Sequence, residues 1–192
     1  MINFDDYPIL RERMADLKEL SKDNSINETP CYLTESSIRA VDFDKVKTAY
    51  VNHLGLSEET ATSVDALAYV ASHLALIEFK NGEMKSEKRK VKDKIRDSLM
   101  ILCDISGKTI SDTRKNLDFI LVYNQNKNPL PNQFKKGIIQ ESPSRTSIGK
   151  YFSQKGGQEY ILFDLERYKT LYFREVHTYS KEEFERYISG GN

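Results

Sequence analysis

The sequence predicts an α/β fold: a mixed sheet of about four to five strands with helices packed against it. Three observations carry this reading. Two short apolar runs, "TSVDALAYV" and "HLALIEFK", adjoin within residues 62–80, close enough to be neighbouring strands. Apolar residues at helical spacing follow, with Val91, Ile95, Leu99 and Leu102 recurring at i, i+4, i+8 and i+11. A third run, "LDFILVYN" (117–124), is apolar at almost every position, the pattern of a strand buried on both faces.

Taken in chain order, residues 1–60 read as a helical region. Ile9, Met14, Leu17 and Leu20 predict a helix over 7–20, and "SKDNSINETP" a polar loop. A second helix is expected over 42–54, capped by Asp42 or Asp44, striped by Val46, Ala49, Tyr50 and Leu54, and stopped at Gly55. Residues 61–124 form the expected core of hairpin, helix and buried strand. Its hairpin link, Ala71-Ser72-His73, has neither Gly nor Asn and is a weak turn sequence. The core helix should end before Gly107. Residues 125–158 are rich in Pro, Gly, Asn, Ser and Lys and read as a long polar excursion. The remainder, 159–189, predicts strands at "EYILFDL" and "LYFREVHTY" and a closing helix at "SKEEFERYI". That helix opens with a capping box, Ser180 and Glu183. The 192 residues suit a single domain.

Bulk composition narrows the function. The 29 basic and 29 acidic side chains cancel, so no whole-molecule field would hold the chain on nucleic acid or an anionic membrane, and any such binding needs a local patch. No apolar run approaches the length of a membrane span, and the opening "MINFDDYPIL" lacks a signal core, so a cytoplasmic address and no membrane partner are expected. Cys31 and Cys103 follow no metal or redox spacing and read as buried free thiols. His53, His73 and His177 share no spacing with them or with each other.

The chemistry concentrates near residue 78. In a strand, residues i and i+2 share a face, so Glu78 and Lys80 point together with Leu74 and Leu76, and Phe79 points oppositely. If the hairpin forms, Asp65 on the preceding strand approaches Glu78 across the ladder. Two carboxylates, a backbone carbonyl and a lysine suit metal-assisted phosphodiester hydrolysis. The oxygens select a hard cation, and the ammonium can hold a water or offset developing charge. The same residues could equally finish a strand at Asn81-Gly82 with a surface ion pair.

Val64-Asp65, twelve residues, then Glu78-Phe79-Lys80 and a helix resembles the core motif of the PD-(D/E)XK nuclease superfamily, over residues 62–124. The resemblance implies a restriction-endonuclease-like sheet and Mg2+ or Mn2+ as cofactor. It implies that Asp65, Glu78 and the Phe79 carbonyl bind the metal, and that Lys80 acts in catalysis with the two acids. It further implies a nucleic-acid partner, DNA rather than RNA, and by analogy a homodimer. The proline often found before the first acid is Val64 here. The family often adds an acid from an early helix, for which Glu35, Glu12 and Glu19 compete with Glu35 as the accessory candidate, and a lysine on the following helix, Lys92 or Lys94.

That helix is locally basic: "KSEKRKVKDKIR" (85–96) holds seven basic and two acidic residues. Lys85, Lys88, Lys92 and Lys94 are therefore expected to meet a phosphate backbone, with Lys135, Lys136, Arg145, Lys150 and Lys155 as a further clamp. The alternative is an interaction protein that keeps the fold without catalysis, such as an immunity- or antitoxin-like partner or a mobile-element accessory factor. It should show an exposed aromatic patch, for which Tyr168, Tyr172, Tyr179 and Tyr187 are the candidates.

Overall fold

The expected hairpin is the centre of the molecule. In the computed structural model, which describes residues 2–23, 30–129 and 161–190, strand β5 (Ala66–Val70) pairs antiparallel with β6 (His73–Lys80). The two-residue link is a tight turn with both residues in the left-handed region, Ala71 at φ 45° and Ser72 at φ 69°. β6 also pairs, in parallel, with β7 (Leu117–Tyr123), and β7 with β8 (Val176–Ser180). On the other side β5 meets β4 (Arg39–Asp42), and β4 meets β1 (Met14–Asp16), both antiparallel. The result is a mixed six-stranded sheet in the order β1-β4-β5-β6-β7-β8, with β2 (Lys22–Asp23) and β3 (Cys31–Tyr32) as a separate ribbon.

Helices cover both faces, as an α/β fold requires. Leu67, Leu74, Leu76, Phe119 and Leu121 point to one face. They pack with Val46 of α3 (Phe43–His53) and with Val91, Ile95, Leu99 and Leu102 of α4 (Met84–Ser106). Ala66, Ala68, Ala75, Ile77, Phe79, Ile120 and Val122 point to the other. There Leu17 of α2 (Leu17–Leu20) and Phe184 of α6 (Lys181–Ile188) cover them, with Phe79 and Phe184 edge to face at 6.0 Å. The alternation read from the sequence therefore holds: Glu78 shares the face of Leu74 and Leu76, and Phe79 the opposite one. α4 ends at Gly107, φ 65°, α3 is capped by Asp42, and α6 carries its capping box.

Several expected elements differ. Residues 7–20 are not one helix but α1 (Pro8–Arg11), strand β1 and α2. A four-residue helix gains little from its own hydrogen bonds. The bare edge of β4 offers a ladder instead, with Met14 opposite Val41 and the Asp42 N–H donating to the Arg13 carbonyl at 2.7 Å. Residues 161–165 form a turn rather than the end of a strand. Phe163 and Asp164 sit at φ 63° and 61°, which no ladder accepts, while Leu162 and Leu165 bury their side chains. The strand expected from 171 begins only at Val176, because Thr170 (φ 62°) turns the chain and Leu171 is exposed. Helix α5 (Ile110–Asn116), with its Thr109/Asp112 capping box, is an addition. Of the expected polar excursion, residues 130–158 and all five clamp cations lie outside the described residues. Cys31 and Cys103 are free thiols, half-buried rather than buried. No helix among the described residues is long and apolar enough to cross a membrane.

Candidate functional site

Asp65 sits one residue beyond the last ladder pair, Ala66 and Ile77, and hence opposite Glu78. Its backbone is held on both sides: the N–H donates to the Ile77 carbonyl and the carbonyl accepts from Phe43 N–H, each at 3.1 Å. The preceding residues are tied to α4. Ser98 Oγ accepts from Val64 N–H at 2.8 Å, and Asp97 Oδ2 accepts from the Thr62 N–H and hydroxyl at 2.9 Å. Ser98 is thus an anchor for the strand that carries Asp65. Asp65 Oδ2 in turn accepts from Phe79 N–H at 2.6 Å. In an extended strand a residue's N–H and C=O leave on the same side, so the Phe79 carbonyl also faces the Asp65 side of β6.

Glu78 is fully buried, which removes the surface-ion-pair reading. The Lys94 ammonium stands between the two acids, donating to Glu78 Oε2 at 3.0 Å and to Asp65 Oδ1 at 3.3 Å. Glu78 Oε1 lies 2.9 Å from Lys94 Nζ and 3.3 Å from Lys80 Nζ, yet neither approach has hydrogen-bond geometry, and the atom is buried without a hydrogen-bond partner. Lys80 also lies 3.6 Å from Glu87 Oε2. Asp65, Glu78 and Lys80 therefore converge, as the strand spacing predicted, and Lys94, expected to meet a phosphate backbone, joins them.

Electrostatics follow from burial. Removal from water, then the neighbouring Asp65 charge, pushes the Glu78 carboxyl up to about 8 despite the two lysines. Burial also raises Asp65, against the pull of Lys94 and of the Phe79 N–H. For Lys94 burial favours the neutral amine, but Glu78 and Asp65 outweigh it and hold the ammonium above the ordinary lysine range. Near neutral pH the group holds one carboxylic acid and at least one ammonium, a poised arrangement of the kind found where protons or cations are handled.

A cleft of about 200 Å³ reaches Asp65 and Lys80 of the group, while Glu78 and Lys94 do not line it; Phe79, Asn81, Gly82, Glu87, Leu20, Ser21, Lys22, Asp23 and Leu33 complete its lining. Asn81 closes one end, donating to Asp23 Oδ2 at 2.7 Å and accepting from the Asn124 amide at 2.6 Å. The early-helix acids expected to complete the site are elsewhere. Glu35 is exposed and ion-paired to Lys18 at 2.8 Å and Lys181 at 3.0 Å, while Glu12 and Glu19 are exposed and do not line the cleft. The added acids are Asp23 and Glu87. Glu87 carried a legible signal, since it lies seven residues before Lys94 and so on the same face of α4. Asp23 carried none, because it reaches the cleft through a two-residue ribbon.

The basic helix divides. Lys94 faces the carboxylates, Lys85 is exposed, and Lys88 and Lys92 lie on the far flank of the buried stripe beside Arg167. The four tyrosines do not make one exposed patch: Tyr168 is buried and stacked on Tyr172, and Tyr179 packs against Tyr187 and His177.

Among the described residues no three His, Cys, Asp or Glu side chains form a metal-holding group. The donors that do converge, two carboxylates, one with a buried oxygen lacking a hydrogen bond, and a carbonyl aimed to the same side, have the chemistry a small hard cation requires. Comparison of the chain with protein-family models, with curated proteins and with solved structures gave no match.

Proposed function

We propose that the chain is a divalent-metal-dependent nuclease of the PD-(D/E)XK type, hydrolysing nucleic-acid phosphodiesters, with DNA favoured over RNA by the resemblance alone. The observation that carries this reading is the buried Glu78 Oε1, left without a hydrogen bond beside Asp65. That oxygen touches the Lys94 and Lys80 ammoniums without hydrogen-bond geometry to either, so it keeps acceptor capacity that a cation could use.

Asp65 and Glu78 would hold the ion, with the Phe79 carbonyl. Magnesium or manganese supplies there a Lewis acid for a phosphoryl oxygen and a lowered pKa for bound water. The chain's own residues do the rest. The Ser98 and Asp97 anchors fix Asp65. Lys80, at the cleft wall, is placed to orient a water or to meet charge developing on the phosphate. Lys94 compensates both acids, and their holding a cation would require it to give up at least one of them.

A second reading rests on that same ammonium. Lys94 already compensates both acids, so a chain with no catalytic task could keep the group as an internal ion cluster and act through protein contacts. Calorimetric titration of Mg2+ or Mn2+ into the wild type, Asp65→Ala and Glu78→Ala separates the two. Heat lost in both variants, together with ion-dependent cleavage of plasmid DNA that they also lose, supports the nuclease. A wild type that takes up neither ion, with DNA present or absent, and leaves DNA intact sinks it.

A further inference from the structure

The flank of α4 turned away from the carboxylates carries a second charged feature. Lys88, Lys92 and Arg96 follow at i, i+4 and i+8, a row stepping about 6 Å per residue pair along the helix. With Arg89 of the same helix and with Arg167 from the turn after Asp164, they line a groove of about 390 Å³. Two of the cations are compensated: Lys88 by Asp164 at 3.1 Å, and Arg96 by Asp93. Lys92 and Arg167 make no hydrogen bond or ion pair among the described residues, although Arg167 is steadied 5.4 Å above the ring of the buried Tyr168. Lys92 and Arg167 thus line one groove, with the Asp164 carboxylate near both. Burial and the nearby Arg167 charge both press the Lys92 ammonium below its ordinary value.

We propose that this groove binds the phosphate backbone of a nucleic acid, the extended arm of the substrate whose cleavage the carboxylate cleft would perform, so that the proposal rests on the nucleic-acid reading above. A row of cations spaced along a helix fits a linear polyanion with repeated charges better than a single small anion, and guanidinium forks favour phosphate oxygens. The chain's zero net charge makes such a local row necessary for any backbone binding. The groove and the cleft lie on opposite flanks of the same buried stripe, so a strand engaging both crosses α4.

The test is fluorescence anisotropy with a labelled 20-base-pair DNA in EDTA, from 50 to 200 mM salt. It uses wild type, Lys92→Gln, Arg167→Gln, the double variant, and Lys115→Gln as an exposed control outside the groove. Each groove variant should weaken binding severalfold, and the double variant should reduce the slope of log affinity against log salt by about two, one per lost phosphate contact. The control should follow the wild type. Affinity and slope unchanged in the double variant would overturn the groove. So would equal affinity for a poly-glutamate of matched charge, which would assign it to acidic protein. Metal uptake is read separately, by calorimetry without DNA. Metal uptake can therefore fail while the groove stands, and the groove can fail while metal uptake stands.

Discussion

Two buried acids sit on neighbouring strands, and they are treated differently. Asp118, on β7, is fully buried and fully matched: Arg174 grips it with two hydrogen bonds, Nε to Oδ1 at 2.9 Å and Nη2 to Oδ2 at 2.6 Å, and Glu175 N–H adds a third at 3.2 Å. Glu78, on β6, is as deeply buried, yet its Oε1 makes no hydrogen bond beside two ammoniums, and one of these, Lys94, is shared with Asp65. The first arrangement locks β7 to the segment before β8 and leaves no valence over. The second keeps a lone pair and a proton in reserve. Burial is common to both, and the difference lies in saturation, which is what separates a clamp from a site.

Breaking the clamp should cost most. Arg174→Met leaves a buried aspartate with no cation, and because the arginine is itself about a third exposed the loss should fall near the lower end of such cases, about 3 kcal/mol. Urea denaturation measures it, and a loss under about 1 kcal/mol would contradict the comparison. Lys94→Met should cost less at pH 6, about 1–2 kcal/mol, because the raised Glu78 carboxyl favours its neutral form there and Lys80 remains beside it. Added Mg2+ should recover part of that loss in Lys94→Met and none in Arg174→Met.

The pH profile sharpens the contrast. Glu78 is raised from the ordinary glutamate value to about 8, so between those values the folded chain keeps a proton that the unfolded chain has released. Stability should therefore fall as pH rises from about 4.5 to 8, and the raised Asp65 acts in the same direction. Lys94 contributes stability that disappears only at alkaline pH, outside this window. Thermal melts at fixed ionic strength should show this slope, and Glu78→Gln should flatten most of it. A slope that persists unchanged in that variant would assign it elsewhere. The smallest effect concerns the anchor. Ser98→Ala strips a partner from the buried Val64 N–H and should lower stability by about 1 kcal/mol. If Ser98 positions Asp65, metal affinity should drop as well, a change that a purely structural serine would not cause.

The parts of this picture legible in the sequence were those written in local periodicity. β6, α4 and β7 followed from spacing alone, and the shared face of Glu78 and Lys80 from the alternation of a strand. What escaped is set by tertiary context. Residues 14–16 join the sheet only because β4 leaves an edge there, and "RAVD" at 39–42 is too short to announce itself. The apolar run at 161–165 looks like a strand because its buried residues are the same ones a turn would use. Glu35 failed as an accessory acid for a related reason: its fate was decided by Lys18 and Lys181, the latter 146 residues away. The twin character of α4 was hidden too, since a charge run does not disclose which lysines face which side until the buried stripe is placed.

The turn between β5 and β6 bears on how the acids come together. Ala71 and Ser72 both adopt a conformation that disfavours residues with a side chain, by about 1 kcal/mol or more each. Hairpins of this kind usually rely on Asn-Gly to close. Here closure must be driven from the opposite end, where Thr62, Val64 and Asp65 are tied to α4, α3 and β6. An excised 62–82 peptide, which lacks those ties, should therefore show no hairpin by nuclear magnetic resonance. Replacing Ala71-Ser72 with Asn-Gly should let the excised hairpin close, bringing the two acids together with Lys80 but without Lys94.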